Sequence, residues 1–551
     1  MVASIVSLDD AAAQHWDVIV IGTGVGGGTF GYAMAKKGRR VLFCERGSAH
    51  LGNSALTGAY PEELIPGAIA GSDPGQINLL RRAGRDTDLV DDCTTARSRR
   101  FMPFIGSGIG GSSALYGMAM ERFFPCDFEP RQHHPDAAGN TLPQSWPIRY
   151  EELAPWYAEA EALYRVRGTR DARREITDYM PALAPPPELT PELAWLSSHL
   201  VASGLHPYRL PMACEFVPGC LGCQGYLCPL GCKNDSARIC VVPAIAEHRA
   251  RLVADCRVTR LEASRSRITG VVCQLRGGAT RTLRGEIIAL AAGALQSPTL
   301  LLRSASSEWP DGLANASGMV GRNLMRHCID LYAIKLPDIG SGDFDNRQKQ
   351  LAFNDFYDGA GGKLGSVQSF GRLPPRRMMF ASLIDDVRHS RFAAVTPLLR
   401  KTEPLIRPAL DALEHRRMVF AATLEDLPYA DNRVTAKWDG ADNTTVQIRY
   451  RVSPHERRRV SALRHALAHS FRALSYQLLK QAENNQRLAH ACGTCRFGDS
   501  PRNSVLDAGN RAHGLDNLYV VDASFFPSSG GTNPSLTIAA NALRVANLLN
   551  G

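Results

Sequence analysis

The stretch Cys220-Leu-Gly-Cys223-Gln-Gly-Tyr-Leu-Cys228-Pro-Leu-Gly-Cys232 places four thiols in one turn-rich segment, with Cys214 and Cys240 on its flanks. Thiolates at CxxC and CxxxC spacing could converge tetrahedrally on zinc, although no long spacer separates the pairs. They could equally ligate an iron-sulfur cluster, since Cys228-Pro229 has the cysteine-proline step of some cluster proteins. Disulfides and inert buried thiols are the other readings. Cys220, Cys223, Cys228 and Cys232 therefore stand as metal-ligand candidates with the ligand left open. A different chemistry sits near the N-terminus, where Gly22, Gly24 and Gly27 form GxGxxG. Such glycines permit a tight turn, close backbone approach to a pyrophosphate and close packing of helix on strand. Glu45 follows about 20 residues later, where a carboxylate can accept hydrogen bonds from ribose hydroxyls.

These residues need a scaffold, and residues 16–47, WDVIVIGTGVGGGTFGYAMAKKGRRVLFCERG, spell one out. Val18 to Ile21 is a short apolar run suited to a parallel strand covered on both faces. A glycine turn, a helix and a second strand ending at Glu45 complete a βαβ unit, with an anion expected at the helix N-terminus. A second glycine-rich stretch, Phe104-Ile-Gly106-Ser-Gly108-Ile-Gly110-Gly111-Ser112-Ser113-Ala-Leu115-Tyr116-Gly117, suggests backbone lying against a ligand. GEIIALAAGALQSPTLLLRSA at 285–305 reads as a strand, a small-residue turn and an apolar helix, with Pro298 in its first turn. NLYVVDASFFP reads as a strand running into a turn, and Asn533-Pro534 as the start of a closing helix with Asn533 as its cap. From 331 to 450 the pattern changes to alternating strands such as VFAATLED and TVQIRY, joined by turn signals including DG, which predicts a mixed sheet distinct from the nucleotide half. Proline-rich 181–195 and loop-like 339–346 mark domain crossings.

Composition limits the function classes. A chain of 551 residues is expected to form about two or three domains. No run of about 18 apolar residues could span a bilayer. The formal charge of +9 comes without an aromatic-basic pattern, so nucleic acid is not an expected partner. Local basic excess at 388–417 and 455–474 is read as solvated helix faces, the first of them a candidate cover over the substrate pocket. The N-terminus lacks a basic region followed by an apolar core, so no leader is expected and a cytoplasmic location is the default; export with a partner subunit stays open. Fourteen cysteines in such a chain argue against a disulfide framework.

Taken in order, the motifs resemble those of the glucose-methanol-choline (GMC) family of flavin-dependent alcohol oxidoreductases. Ile109-Gly110-Gly111-Ser112-Ser113 is similar to the first family signature, and Gly293-Ala-Leu-Gln-Ser-Pro298 to the second. Val320-Gly-Arg-Asn-Leu324 with His327, His490 with Gly493-Thr-Cys-Arg496, and Asp522-Ala-Ser through Asn533-Pro534 follow in family order. The resemblance spans nearly the whole chain and implies FAD rather than NAD. It carries cofactor contact to Gly22, Gly24, Gly27, Glu45, Gly110, Gly111, Ser112, Ser113, Ala292, Asp522, Asn533 and Pro534.

It also implies that His490 and Asn533 face the flavin ring. A neutral imidazole can accept the proton that an alcohol loses as hydride leaves for flavin N5, and an asparagine amide can orient the same oxygen. His327, His513 and Asp522 are read as structural or cofactor-positioning. Some relatives tether FAD through a histidine where Leu115 stands here, so non-covalent FAD is expected. Tyr116, Phe497 and Arg326 stand where the family has asparagine, methionine and aspartate.

The fold class expected is α/β. It comprises a Rossmann-like FAD-binding domain built from discontinuous segments, 14–135, 240–330 and 486–551, and an α+β substrate domain with a mixed or antiparallel sheet, 136–239 and 331–485. The cysteine-rich segment 214–240 belongs to the second domain. The activity implied is oxidation of an alcohol CH–OH to a carbonyl, the partners being a small-molecule alcohol and an external electron acceptor such as oxygen, a quinone or a cytochrome. A non-redox, hydroxynitrile-lyase-like reaction on the same FAD-binding fold is the alternative. The resemblance divides at the cysteines, because some members bind an iron-sulfur cluster there and others do not.

Overall fold

The computed structural model describes residues 5–549 except 50–55, 66–72, 175–179, 340–348, 360–361, 372, 389–391, 403, 407, 409, 411–416, 439–443, 487 and 489. The loop expected at 339–346 therefore falls, beyond Ile339, outside the described residues, as does the turn expected at Gly440.

The expected βαβ unit forms. Strand His15–Ile21 is buried through its apolar run, helix Val25–Lys36 follows the glycine turn, and strand Val41–Cys44 returns parallel beside the first, Val18 to Ile21 pairing with Val41 to Cys44. The first strand also pairs in parallel with Thr280–Leu290, which in turn pairs with Leu518–Val520. Chain regions hundreds of residues apart thus close one seven-stranded sheet, extended by the antiparallel strands Cys256–Ala263 and Ile268–Leu275. Covering helices bury both faces of its central strands, which is why those strands read as continuous apolar runs.

A second, six-stranded sheet is built from Tyr208–Arg209, Cys328–Lys335, Leu351–Phe353, Gly365–Gly371, Arg417–Leu424 and Tyr476–Leu479, all pairing antiparallel. The two strands read together from 331–450 part company. Arg417–Leu424 lies in this sheet, whereas Thr444–Arg449 joins a separate four-stranded sheet, pairing in parallel with Val90–Asp92. Alternation of apolar residues identifies a strand but not its neighbour, which explains the difference.

Helix Pro454–Ser470, the second basic stretch, is less solvated than expected. Its Arg459 is buried and donates to the carbonyls of Lys363 and Glu425, and its Arg464 pairs with Asp330 on the sheet. Among the described residues no helix is long and apolar enough to cross a membrane.

Two helix starts differ from expectation. Pro298 lies inside helix Gly293–Arg303, not in its first turn. A proline there leaves the carbonyl four residues back without its N–H donor, and the hydroxyl of Thr494 donates to that carbonyl, Ala294 O, at 2.8 Å. The closing helix runs Ser535–Leu548 with Pro534 in the cap position, so Asn533 is not its cap.

Candidate active site

A cavity of about 550 Å³ collects residues from several of the motifs. Gly22, Thr23, Gly24 and Glu45 come from the βαβ unit, Gly111, Ser112 and Ser113 from the second glycine stretch, and Ala292 and Gly293 from the turn after the long strand. Asp522, His490, Asn533 and Pro534 complete that side. Gly27 and Gly110 stand behind the wall. A Cβ on Gly27 would lie 2.1 Å from the carbonyl oxygen of Gly22, so this glycine lets the helix sit under the turn. Gly110 has φ +88 and its N–H donates to the Thr23 hydroxyl at 3.2 Å. A Cβ on Gly24, by contrast, would meet nothing within 4 Å.

The wall is tied together by side chains acting on backbone. The Glu45 carboxylate accepts from the N–H (3.1 Å) and hydroxyl (2.7 Å) of Thr23, from Gly47 N–H (2.9 Å) and from Gly108 N–H (3.1 Å), binding the first glycine turn to the second. Ser112 accepts from Gly106 N–H at 3.0 Å, while Ser113 donates to Gly110 O and accepts from Ser236 N–H. Asp522 accepts from Gly293 N–H at 2.8 Å and from Ser524 N–H at 2.8 Å, fixing the third turn.

His490 is held in a left-handed conformation, φ +60, which costs a non-glycine residue about 1–2 kcal/mol. Its Nδ1 lies 2.7 Å from Nδ1 of His327. His327 Nε2 faces only carbonyls, Gly530 O at 2.9 Å and Ser529 O at 3.3 Å, so that nitrogen carries the hydrogen and donates. Burial holds the His327 imidazole below its ordinary pKa and keeps it neutral, so its Nδ1 has a lone pair and accepts from His490 Nδ1–H. The hydrogen of a neutral His490 is thereby fixed on Nδ1, and Nε2 is left as an acceptor. Burial, together with the neighbouring His327 and Lys349, pushes His490 well below the usual histidine range. Asn533 lines the same cavity, and its Oδ1 is buried without a hydrogen-bond partner.

His513, read as structural, bonds Ser504 Oγ at 2.9 Å away from the cavity wall. Arg326 is buried and donates to Asn484 O and Ala482 O, and Phe497 packs edge-on to Trp146. Tyr116 lines the cavity while its hydroxyl donates to Asn234 O at 2.6 Å. Leu115 is buried in the wall.

The thiols group differently from the sequence expectation. Cys214, Cys220 and Cys232 bring their sulfurs within 4.8 Å of one another, and Cys228 Sγ lies 3.4 Å from Cys232 Sγ, whereas Cys223 is outside the trio. An antiparallel bridge between Cys214 and Lys233 folds the flank back onto the loop, which linear spacing does not show. Cys240 goes elsewhere, beside Tyr164 and Thr29. The loop they stabilise supplies Gln224 and Gly225 to the cavity.

Sequence reading missed Gln224, Lys349, Gln368 and Thr423, all of which line the cavity. Gln224 lies within the cysteine-rich stretch and the other three belong to no motif; no local signal marks any of the four as lining a cavity. Of the apolar-basic stretch expected as a cover, the described part includes helix Thr396–Lys401 with Leu398 exposed; Pro374 and Met378, just ahead of the stretch, are what reach the cavity.

Models of the GMC oxidoreductase family match residues 196–329 and 428–542. Paromamine 6'-oxidase of Streptomyces fradiae is 30% identical, the alignment covering 97% of this chain and 91% of that protein. The chain belongs to the GMC oxidoreductase family. A 2-methyl-1,2-propanediol dehydrogenase of Mycolicibacterium austroafricanum is 26% identical over 98% of this chain and 96% of its own. Among solved structures, pyridoxine 4-oxidase from Mesorbium loti superposes with a TM-score of 0.62 at 19% identity, covering 97% of this chain and 99% of that one, a likeness of fold.

Membership makes the chain an FAD-dependent oxidoreductase acting on CH–OH donors. The residues present fit the cofactor. The space over Gly24 is open where a pyrophosphate needs close backbone approach, and the orphaned Asn533 Oδ1 awaits a donor in the same cavity.

Proposed function

We propose that this GMC oxidoreductase oxidises an alcohol to a carbonyl, with His490 Nε2 accepting the hydroxyl proton and Asn533 orienting the hydroxyl oxygen. The observation that carries this reading is the chain of hydrogen bonds from Gly530 O through His327 to His490, which leaves His490 Nε2 as a neutral acceptor at the cavity. A general base must be unprotonated and within reach of the proton it takes, and burial of His490 meets the first requirement at neutral pH. Gly22, Gly24, Glu45, Gly111 to Ser113, Ala292, Asp522 and Pro534 would hold FAD. When bound, FAD supplies the two-electron acceptor for the hydrogen on the carbinol carbon. Leu115 offers no nucleophilic atom, so the cofactor is held without a covalent bond and acid precipitation releases it into the supernatant. An external acceptor removes the electrons afterwards; both oxidases and dehydrogenases are among the relatives.

Replacing His490 with alanine tests the assignment. Anaerobic bleaching of the flavin by an alcohol substrate should be lost while FAD stays bound. Bleaching at the unmodified rate would defeat it, and bleaching of the intact enzyme by any alcohol counts against a lyase.

A further inference from the structure

Lys349 is 4% exposed, lines the cavity, and makes no hydrogen bond or ion pair among the described residues. Its ammonium sits over the bare Cα of Gly117, where a Cβ would lie 2.1 Å from Nζ and 2.9 Å from Oε1 of Gln224. Phe370, with its ring centroid 5.4 Å from Nζ, is the cation's aromatic neighbour. The six-stranded sheet presents Gln368 and Thr423 to the same space. Gln368 pairs with Ala421, two residues from Thr423, so both side chains share one face of the sheet.

Gln224 Oε1, Gln368 Oε1 and Thr423 Oγ1 are buried and without partners, as is Asn533 Oδ1. An unpaired ammonium and several orphaned oxygens in one cavity are costly unless a ligand meets them. The combination narrows the ligand. A carboxylate would satisfy Lys349 but repel the amide oxygens. An organic cation would satisfy those oxygens but be repelled by Lys349, and an alkyl chain would satisfy neither. A hydroxyl both donates and accepts, and a set of hydroxyls can replace the waters that would otherwise fill such a site without loss of hydrogen bonds.

We infer that the substrate is a polyhydroxylated alcohol, with one carbinol at His490 and its remote hydroxyls held by Lys349, Gln224, Gln368 and Thr423. This rests on the alcohol-oxidation reading above.

Two matched pairs test it by anaerobic flavin reduction in the holoenzyme. Methyl α-D-glucopyranoside is compared with cyclohexylmethanol, which carries the same primary carbinol on a bare ring, and hexane-1,2,6-triol is compared with hexan-1-ol. The hydroxylated member of each pair should be preferred in kcat/KM by roughly 100-fold or more. Lys349→Met should cut that preference by about 10- to 100-fold, chiefly through KM, and titration of the His490→Ala holoenzyme by flavin absorbance should show the same loss of binding in the Lys349→Met background. Equal kcat/KM within each pair overturns the inference and leaves alcohol oxidation standing. Bleaching by none of the four alcohols overturns both. If Lys349→Met does not retain flavin, the wild-type preference and its loss in Gln368→Leu decide the matter.

Discussion

Removing His327 should disable His490 without touching the substrate. In His327→Ala the 2.7 Å contact to His490 Nδ1 disappears. Leaving the N–H of His490 unpaired costs about 1–3 kcal/mol. That turns against the tautomer with its hydrogen on Nδ1, and the ring instead carries it on Nε2, meeting the substrate hydroxyl with a donor. At about 1.4 kcal/mol per tenfold, flavin reduction should slow by about 5- to 150-fold.

The assay is stopped-flow reduction under anaerobic conditions, which separates the limiting rate from substrate dissociation. The limiting rate should fall while the dissociation constant changes little. His327→Gln, whose amide oxygen can accept from Nδ1–H, should recover part of the loss. A purely structural role would not produce that recovery. Burial is the main cause that holds His490 below the ordinary histidine range, so the limiting rate of the intact enzyme should stay level as pH falls from about 7 to 6. A limiting rate within about threefold of the intact enzyme, or a loss confined to substrate affinity, would refute the tautomer argument.

The two glycines Gly24 and Gly27 should separate cofactor binding from folding. Gly27→Ala puts a Cβ 2.1 Å from Gly22 O and should lower the melting temperature of the apoprotein, whereas Gly24→Ala meets nothing in the chain and should weaken FAD binding with little change in apoprotein melting. Lys349 is pushed down to about 7, by burial first and then by Lys233. The ammonium form predominates below that pH, so KM for a polyhydroxylated substrate should rise as pH increases through 7, with a Lys233 variant as one control and the dissociation constant measured in His490→Ala holoenzyme as the other. His327, buried, and His490, part-buried at the cavity, both have folded pKa values below the ordinary 6.5. The unfolded chain takes up their protons first as pH falls, so thermal stability should decline below about pH 6.5; an unchanged melting temperature from pH 7 to 5 would contradict their burial as neutral rings.

The sequence by itself determined the βαβ unit and singled out the three turns, His490 and Asn533 that line one cavity. Each is encoded by residues close in the chain, where a glycine or an apolar run has the same steric meaning in any context. It also determined that Leu115 cannot tether a flavin. Tertiary structure decided what depends on distant partners. His327 looked like a positioning residue, and only its contact with a ring 163 residues away, backed by two carbonyls, fixes where the proton of His490 resides. Cys214 joins Cys220 and Cys232 in the thiol cluster because a bridge folds the flank back. Pro298 could sit within a helix because Thr494, nearly 200 residues on, meets the stranded carbonyl. Gln224 and Lys349 come from two loops, Gln368 and Thr423 from two strands, and the four share no spacing. A buried cation without a partner among the described residues becomes visible only when elements distant in the chain are brought around it.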